Sequence, residues 1–305
     1  MINIAFFFIK SNNFFAKYLL KYLTIVFLLI DYIYVVNSFE NKLIHISNPK
    51  KQIFTFWEPK DKIPGYLNLC IKTWKKYLPE YYINIMDFNS VKHFIGKHLF
   101  SKIISKSLSL PIQADAIRVA LLNKNGGIWL DPDTIITNSN FLKKIENYEL
   151  VMIGKNKMQH MGFIYTSNNS NIMKDWLHEI IRKVKIYNQL ISKNISTTVK
   201  WDYLGNSIID RILLNYTNKN FFRLDRNEIS AFPESILFTN TTLDIKRRYI
   251  DFYFRNREPK ILLEKVKGII LLHNSWTPMK YKAMTEEEFL NEDILLSKFF
   301  KKILK

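Results

Sequence analysis

The chain has 305 residues, enough for one large domain or two small ones with a buried core in either case. Forty-five lysines and arginines stand against 27 acidic residues. The formal charge of +18 favours polyanionic partners: an anionic membrane surface, phosphate-bearing ligands or nucleic acid. No helix-turn-helix or zinc-finger spacing accompanies it, so nucleic acid is not an expected partner, and a single cysteine, Cys70, excludes an intrachain disulfide and suits a reducing cytoplasm.

Residues 1–45 read as an N-terminal helical or membrane-associated segment ahead of one domain over 46–305. Lys10, Lys17 and Lys21 precede an apolar run from Tyr22 to Ile30, interrupted by Asp31 and resumed through Val36. A spanning helix needs about 20 predominantly apolar residues, and a central Asp costs roughly 2.5–3.5 kcal/mol on insertion. No small-residue cleavage site follows, which speaks against a secretory signal. The expectation is a cytoplasmic chain whose first helix packs on the domain or lies peripherally at the inner membrane face, with a signal anchor as the alternative.

Lys51 to Glu58, KQIFTFWE, alternates and is rich in aromatic and β-branched residues, so it predicts the first core strand. Pro64 opens a helix with Leu67, Cys70, Ile71 and Trp74 at core spacing, and Tyr81 to Asp87 predicts a second strand. Strand, helix, strand with short connections argues for a parallel sheet. Asn89 or Ser90 is the expected cap of the next helix, whose His93 and His98 read as surface residues.

The stretch from Ser109 to Thr137 carries the densest information. Pro111 suits a first helical turn, and Ile112 to Leu122 is apolar except for Asp115 and Arg118, three apart and on one face. Asn125, Gly126 and Gly127 close the helix, Ile128 to Leu130 form a short strand, and Asp131-Pro132-Asp133 ends it. On an extended backbone the two aspartates would point the same way. Carboxylates that close repel unless a cation sits between them, and a hard ion such as Mg²⁺ or Mn²⁺ fits. A plain Asp-Pro-Asp turn with solvated carboxylates is the alternative.

The ordered pattern Q-A-D-x-x-R-x-x-L-L-x-x-x-G-G-x-W-L-D, from Gln113 to Asp131, resembles the capsular polysaccharide synthesis proteins and, more broadly, the DXD-motif sugar transferases. The resemblance implies a GT-A-like α/β fold, an open sheet of mainly parallel strands flanked by helices, and metal-dependent transfer from a nucleotide sugar, retaining in stereochemistry. It implies that Asp115 and Arg118 contact the donor, that Asp131 lies near donor hydroxyls and the metal, and that Asp133 is a metal ligand. Trp57, at the end of the first strand, would stack on the donor base or else pack in the core.

Past this block, Phe141 to Tyr148 reads as helical, and Glu149 to Gly154 and Met161 to Thr166 read as strands around a turn holding Gln159 and His160. Asn169 to Ile191 is an amphipathic helix. Asp202, beside Trp201 and Tyr203 and before Gly205, shapes an acceptor-sugar site or, in the preferred reading, caps the next helix. Lys246 to Arg257 holds four arginines and a lysine, a solvated face or an anionic-lipid surface. Val266 to Leu272 is a strand delivering His273-Asn274-Ser275-Trp276, the second point of resemblance. There His273 would be a third metal ligand, Ser275 a metal or phosphate contact and Trp276 a stacking or phosphate-contacting residue. Thr285 and Glu288 make a capping box for a terminal helix.

The functional expectation is therefore a glycosyltransferase using a nucleotide sugar, UDP-sugar first, with Mn²⁺ or Mg²⁺. The acceptor would be a glycan or lipid-linked glycan in capsular or surface polysaccharide synthesis. A non-catalytic basic protein binding membranes or polyanions is the alternative. A phosphoryl-transfer enzyme is disfavoured because the chain lacks a Walker loop and kinase motifs.

Overall fold

A computed structural model describes residues 51–155, 158–217, 219–225, 242–265 and 267–305. The expected N-terminal segment and its boundary lie outside the described residues. Among the described residues, no helix is long and apolar enough to cross a membrane.

The architecture is the expected open α/β sheet with mainly parallel strands. Strand β1 (Lys51–Phe56) pairs in parallel with β2 (Tyr81–Met86) on one side and β3 (Gly127–Leu130) on the other. Strand β6 (Met158–Thr166) then runs antiparallel between β3 and β5 (Leu150–Lys155), and β5 pairs in parallel with β7 (Phe221–Asp225). The order is β2-β1-β3-β6-β5-β7, so five of the six strands share a direction. A second small sheet joins β4 (Thr134–Ile136) to β8 (Ile269–Leu271), antiparallel, and brings residues 133 to 137 positions apart side by side.

Period-two alternation along β3 feeds two cores. Trp129 points into one with Phe54, Met152 and Ile164, covered by α4 (Leu110–Asn125), α6 (Asn171–Ser192) and α7 (Asn206–Ile212). Ile128 and Leu130 point into the other with Ile53 and Phe163, covered by Trp74 and Leu78 on and after α1 (Gly65–Tyr77) and by α5 (Leu142–Ile145). The Trp74 indole is fully buried and donates to the Thr134 carbonyl at 2.7 Å, tying α1 to the start of β4. The adjoining side of α1, with Tyr66, Leu67 and Cys70, joins a third cluster with α8 (Thr242–Tyr253) and α12 (Leu295–Leu304).

Three local expectations are corrected. The cap of α2 (Phe88–Ile95) is Asp87, whose carboxylate accepts the Ser90 N–H while the Ser90 hydroxyl accepts the Asp87 N–H. The last residue of strand β2's segment thus also starts the helix, one turn before the expected cap. Gln159 and His160 lie within β6, paired with Gly154 and Ile153, rather than in a turn. The terminal helix is two helices, α11 (Glu286–Asn291), opened by the Thr285–Glu288 capping box as expected, and α12. Between Met152 and Ile153 the β5–β6 register shifts, leaving Met161, Gly162 and Phe163 of β6 unmatched on β5.

The turn from α4 into β3 depends on glycine. Gly126 caps the helix at φ 64°, and Gly127 sits at φ 99° where a Cβ would lie 2.6 Å from the Gln52 carbonyl of β1. Gly127→Ala is expected to lower stability by more than the about 1–3 kcal/mol of backbone strain alone, because the β1 backbone must also shift. Urea unfolding followed by circular dichroism measures the loss.

Candidate functional site

The candidate site forms where α4, the end of β3 and the bulge of β6 meet. Arg118, on the buried face of α4, lies 3.3 Å from Asp115 and 3.4 Å from Asp131. It also donates to the Met161 carbonyl in the bulge, and its guanidinium stands 5.0 Å from the Trp129 ring centroid. The side chains of Arg118 and Asp115 are 7% and 8% exposed, that of Asp131 27%, so Asp131 is the member of this triad open to a ligand. Its Oδ1 also accepts the Trp129 indole N–H at 2.7 Å, and its backbone N–H donates to the Gly162 carbonyl. Asp115 and Arg118, three apart on one face, thus form a three-residue cluster with Asp131, and Trp129 is a participant that the sequence reading treated only as strand. Its signal was its place two residues before Asp131, on the same side of the strand.

The two aspartates come together by a different route from the expected one. The Thr134 N–H donates to the Asp131 carbonyl at 3.0 Å, so Asp131-Pro132-Asp133-Thr134 is a turn with proline at its second position, not an extended strand end. The turn leads Asp133 toward the segment after β8. There the Asn274 N–H donates to Asp133 Oδ2 at 2.7 Å, and the Leu272 N–H donates to the Asp133 carbonyl. Tyr66 of α1 donates to the Asn274 side-chain oxygen. His273 and Trp276 stack at 4.0 Å between ring centroids, Tyr249 of α8 receives the His273 N–H, and Ser275 is exposed. The structure thus brings the His273–Trp276 segment against the D-P-D turn, as the resemblance implies. His160, set aside on sequence grounds, has its ring 6.4 Å from that of His273. Its Nδ1 accepts the Gly162 N–H, which a strand-plus-turn reading had no means of foreseeing. Trp57 directly follows β1, and its indole N–H donates to the Lys62 carbonyl.

The electrostatics favour a cation. Burial pushes the Asp115 carboxyl up to about 7; Arg118 opposes the rise while Asp131 and Asp202 add to it. Burial and then the Asp131 charge also hold Asp133 above the usual carboxylate range, with the Asn274 N–H opposing. Three carboxylates here share one guanidinium, and the excess negative charge fits a hard divalent ion. Among the described residues no three or more His, Cys, Asp or Glu side chains form a ready metal-holding group. Asp131, Asp133 and His273 are therefore no closed cage. Mg²⁺-type ions are commonly held by one or two carboxylates plus substrate phosphates, and this donor set fits that mode.

The pH response of Asp115 has a definite sign. Its folded value of about 7 lies above the ordinary 3.8, so between these pH values the folded state holds the proton more tightly and stability falls as pH rises. In EDTA, Asp115→Asn should gain on the wild type as pH rises from about 4 to 7, by at most about 1.4 kcal/mol per pH unit. Thermal unfolding of both proteins across that range checks it.

Residues 5–199 match the capsular polysaccharide synthesis protein family, a span that includes α4, β3 and the D-P-D turn and ends before His273. No curated protein matches. Among solved structures, the glycosyltransferase GlyE of Streptococcus pneumoniae TIGR4 aligns over 85% of this chain at 14% identity and a TM-score of 0.39, and the chain spans 65% of GlyE. The galactosyltransferase LgtC, in complex with donor and acceptor sugar analogs, aligns over 83% of this chain and 95% of its own at 10% identity and a TM-score of 0.39. Mouse xyloside xylosyltransferase 1 aligns over 75% and 99% at 11% identity and 0.35. These scores are too low to carry an argument about activity. The family match covers well over half of the sequence, and on it the chain belongs to the capsular polysaccharide synthesis protein family.

Proposed function

We propose that this chain is a glycosyltransferase of GT-A-like fold that moves a sugar from a nucleotide sugar, UDP-sugar first, to a glycan acceptor in surface polysaccharide synthesis. The observation that carries the reading is Arg118, buried between Asp115 and Asp131 at the carboxyl end of a central strand, with Asp133 anchored beside them on the His273–Trp276 segment. Ligand sites of open α/β sheets lie at that end of the strands.

In this reading Asp133, with Asp131 and His273, holds a divalent ion, which when bound supplies positive charge for the departing diphosphate. Arg118 fixes the Asp131 carboxylate, and the more open part of that carboxylate accepts donor hydroxyls. Asp115 accepts from Arg118 beneath that carboxylate and is proposed as a second contact to the donor. Ser275 is exposed beside the turn and contacts phosphate; Trp276, braced on His273, covers it. Trp57 remains the proposed base-stacking residue. Retention of configuration follows from the resemblance, with no covalent nucleophile named. The net charge of +18 supports work beside an anionic membrane surface, with a lipid-linked glycan as the acceptor proposed there.

Calorimetric titration of UDP with and without Mn²⁺ tests this reading. Binding is expected only with the metal, and Asp133→Ala should weaken it by at least about 100-fold, the scale on which losing a metal-site residue acts. No nucleotide binding by folded wild-type protein would sink the reading and favour a non-catalytic polyanion-binding protein. A preference for GDP or CMP would keep the chemistry and change the donor.

A further inference from the structure

The loop before α7 was expected to cap that helix through Asp202, and it does not. The residue at the cap is Gly205, with no side-chain bond, and Asp202 receives the Gly205 and Ser207 N–H groups on its carbonyl. Its carboxylate is left for other work. The Asp202 Oδ1 is shielded from solvent and has no hydrogen-bond partner among the described residues. An unpaired carboxylate oxygen out of water is costly unless something donates to it.

Asp202 lines a groove of about 400 Å³ between the C-terminal half of α6 and residues 197–203. That volume is within the usual range of small-ligand sites. Its walls combine the aromatic rings of Tyr187 and Tyr203, 6.4 Å apart, with the hydroxyls of Thr197, Thr198 and Ser207. Lys183 braces the wall. Its ammonium donates to the Tyr203 carbonyl at 2.6 Å and the Ser207 hydroxyl at 3.0 Å, and lies 4.4 Å from the Tyr203 ring centroid. Between two lining residues, Lys200 and Asp202, stands Trp201, 71% exposed and without a hydrogen bond or ring contact among the described residues. The fold makes no use of this indole, and a large aromatic held in water is a feature of binding surfaces.

The same loop touches the carboxylate cluster from its other side. Gly205 rests on Asp115, where a Cβ would fall 2.7 Å from Oδ2. Consistent with this, the Asp202 charge is felt both by Asp115 and by Lys183. One short loop thus separates the groove from the donor-side carboxylates.

We infer that the groove between α6 and residues 197–203 is a saccharide subsite for the acceptor glycan, with Trp201 stacking on a sugar ring and Asp202 accepting its hydroxyls. Aromatic faces meet the C–H face of a pyranose, while the carboxylate and hydroxyls meet its rim. Saccharide binding stands by itself; the word acceptor rests on the transferase reading above.

The p-nitrophenyl glycosides of glucose, galactose and N-acetylglucosamine serve as probes, titrated into the full chain carrying ¹⁵N-labelled tryptophan. Trp201→Phe identifies the Trp201 indole signal. At least one glycoside is expected to shift that signal, and Trp201→Ala and Asp202→Asn are each expected to raise its Kd about tenfold, or about 1.4 kcal/mol. Metal-dependent UDP binding, measured on the same samples, should persist in both variants and shows that they are folded. The inference is overturned if none of the three glycosides moves the Trp201 signal, or if both variants bind them as tightly as the wild type. Glycoside binding in the groove with no UDP binding by the wild type would retain a saccharide site and remove the transferase.

Discussion

A guanidinium buried between carboxylates is the constraint on which the site depends. Arg118 is on the buried face of a largely apolar helix, and a lone cation there would be prohibitively expensive. It is tolerated because Asp115 comes from its own helix, Asp131 from the adjoining strand, and a main-chain oxygen from the next strand over. Three elements must therefore be in register before the charge is satisfied. Removing one partner would leave a buried ion uncompensated, which is far worse than removing all of them. The cluster is stable only as a whole, and as a whole it retains surplus negative charge at the mouth.

That surplus gives local meaning to a chain whose overall charge is strongly positive. The basic residues favour phosphate-bearing molecules in general, while the mouth repels a bare diphosphate. On the proposed reading, a nucleotide sugar would be reconciled with both by an accompanying dication, and its phosphates would complete the ligand set that Asp133 begins.

Much of the fold was legible because period-two and period-3.6 patterns were clean and glycines fell where the backbone needed positive φ. The α4–β3 block was read nearly residue by residue. The Asp-Pro-Asp geometry was not: proline after a strand fits both an extended end and a turn, and only the Thr134 N–H decides between them. Asp202 was assigned to a cap by residue type, yet Gly205 took that place because the loop presses against Asp115. His160 was set aside because a register shift, which leaves no mark in hydrophobic pattern, brings it beside His273. The long-range pairing of β4 with β8 was likewise invisible locally, although the residues it unites had each been noticed separately.

The register shift in β6 has a bearing on how this chain tolerates change. Two of the contacts that hold the cluster, from Met161 and Gly162, are made by carbonyls, which every amino acid possesses. Side-chain identity at Met161 is free to drift without altering what Arg118 sees. The length of the segment is not free. Deleting one residue between His160 and Phe163 would withdraw an oxygen from the cluster and turn the rest of the strand over, exchanging its two faces. Such a site is written in spacing as much as in letters, and related chains can share it while agreeing at few positions.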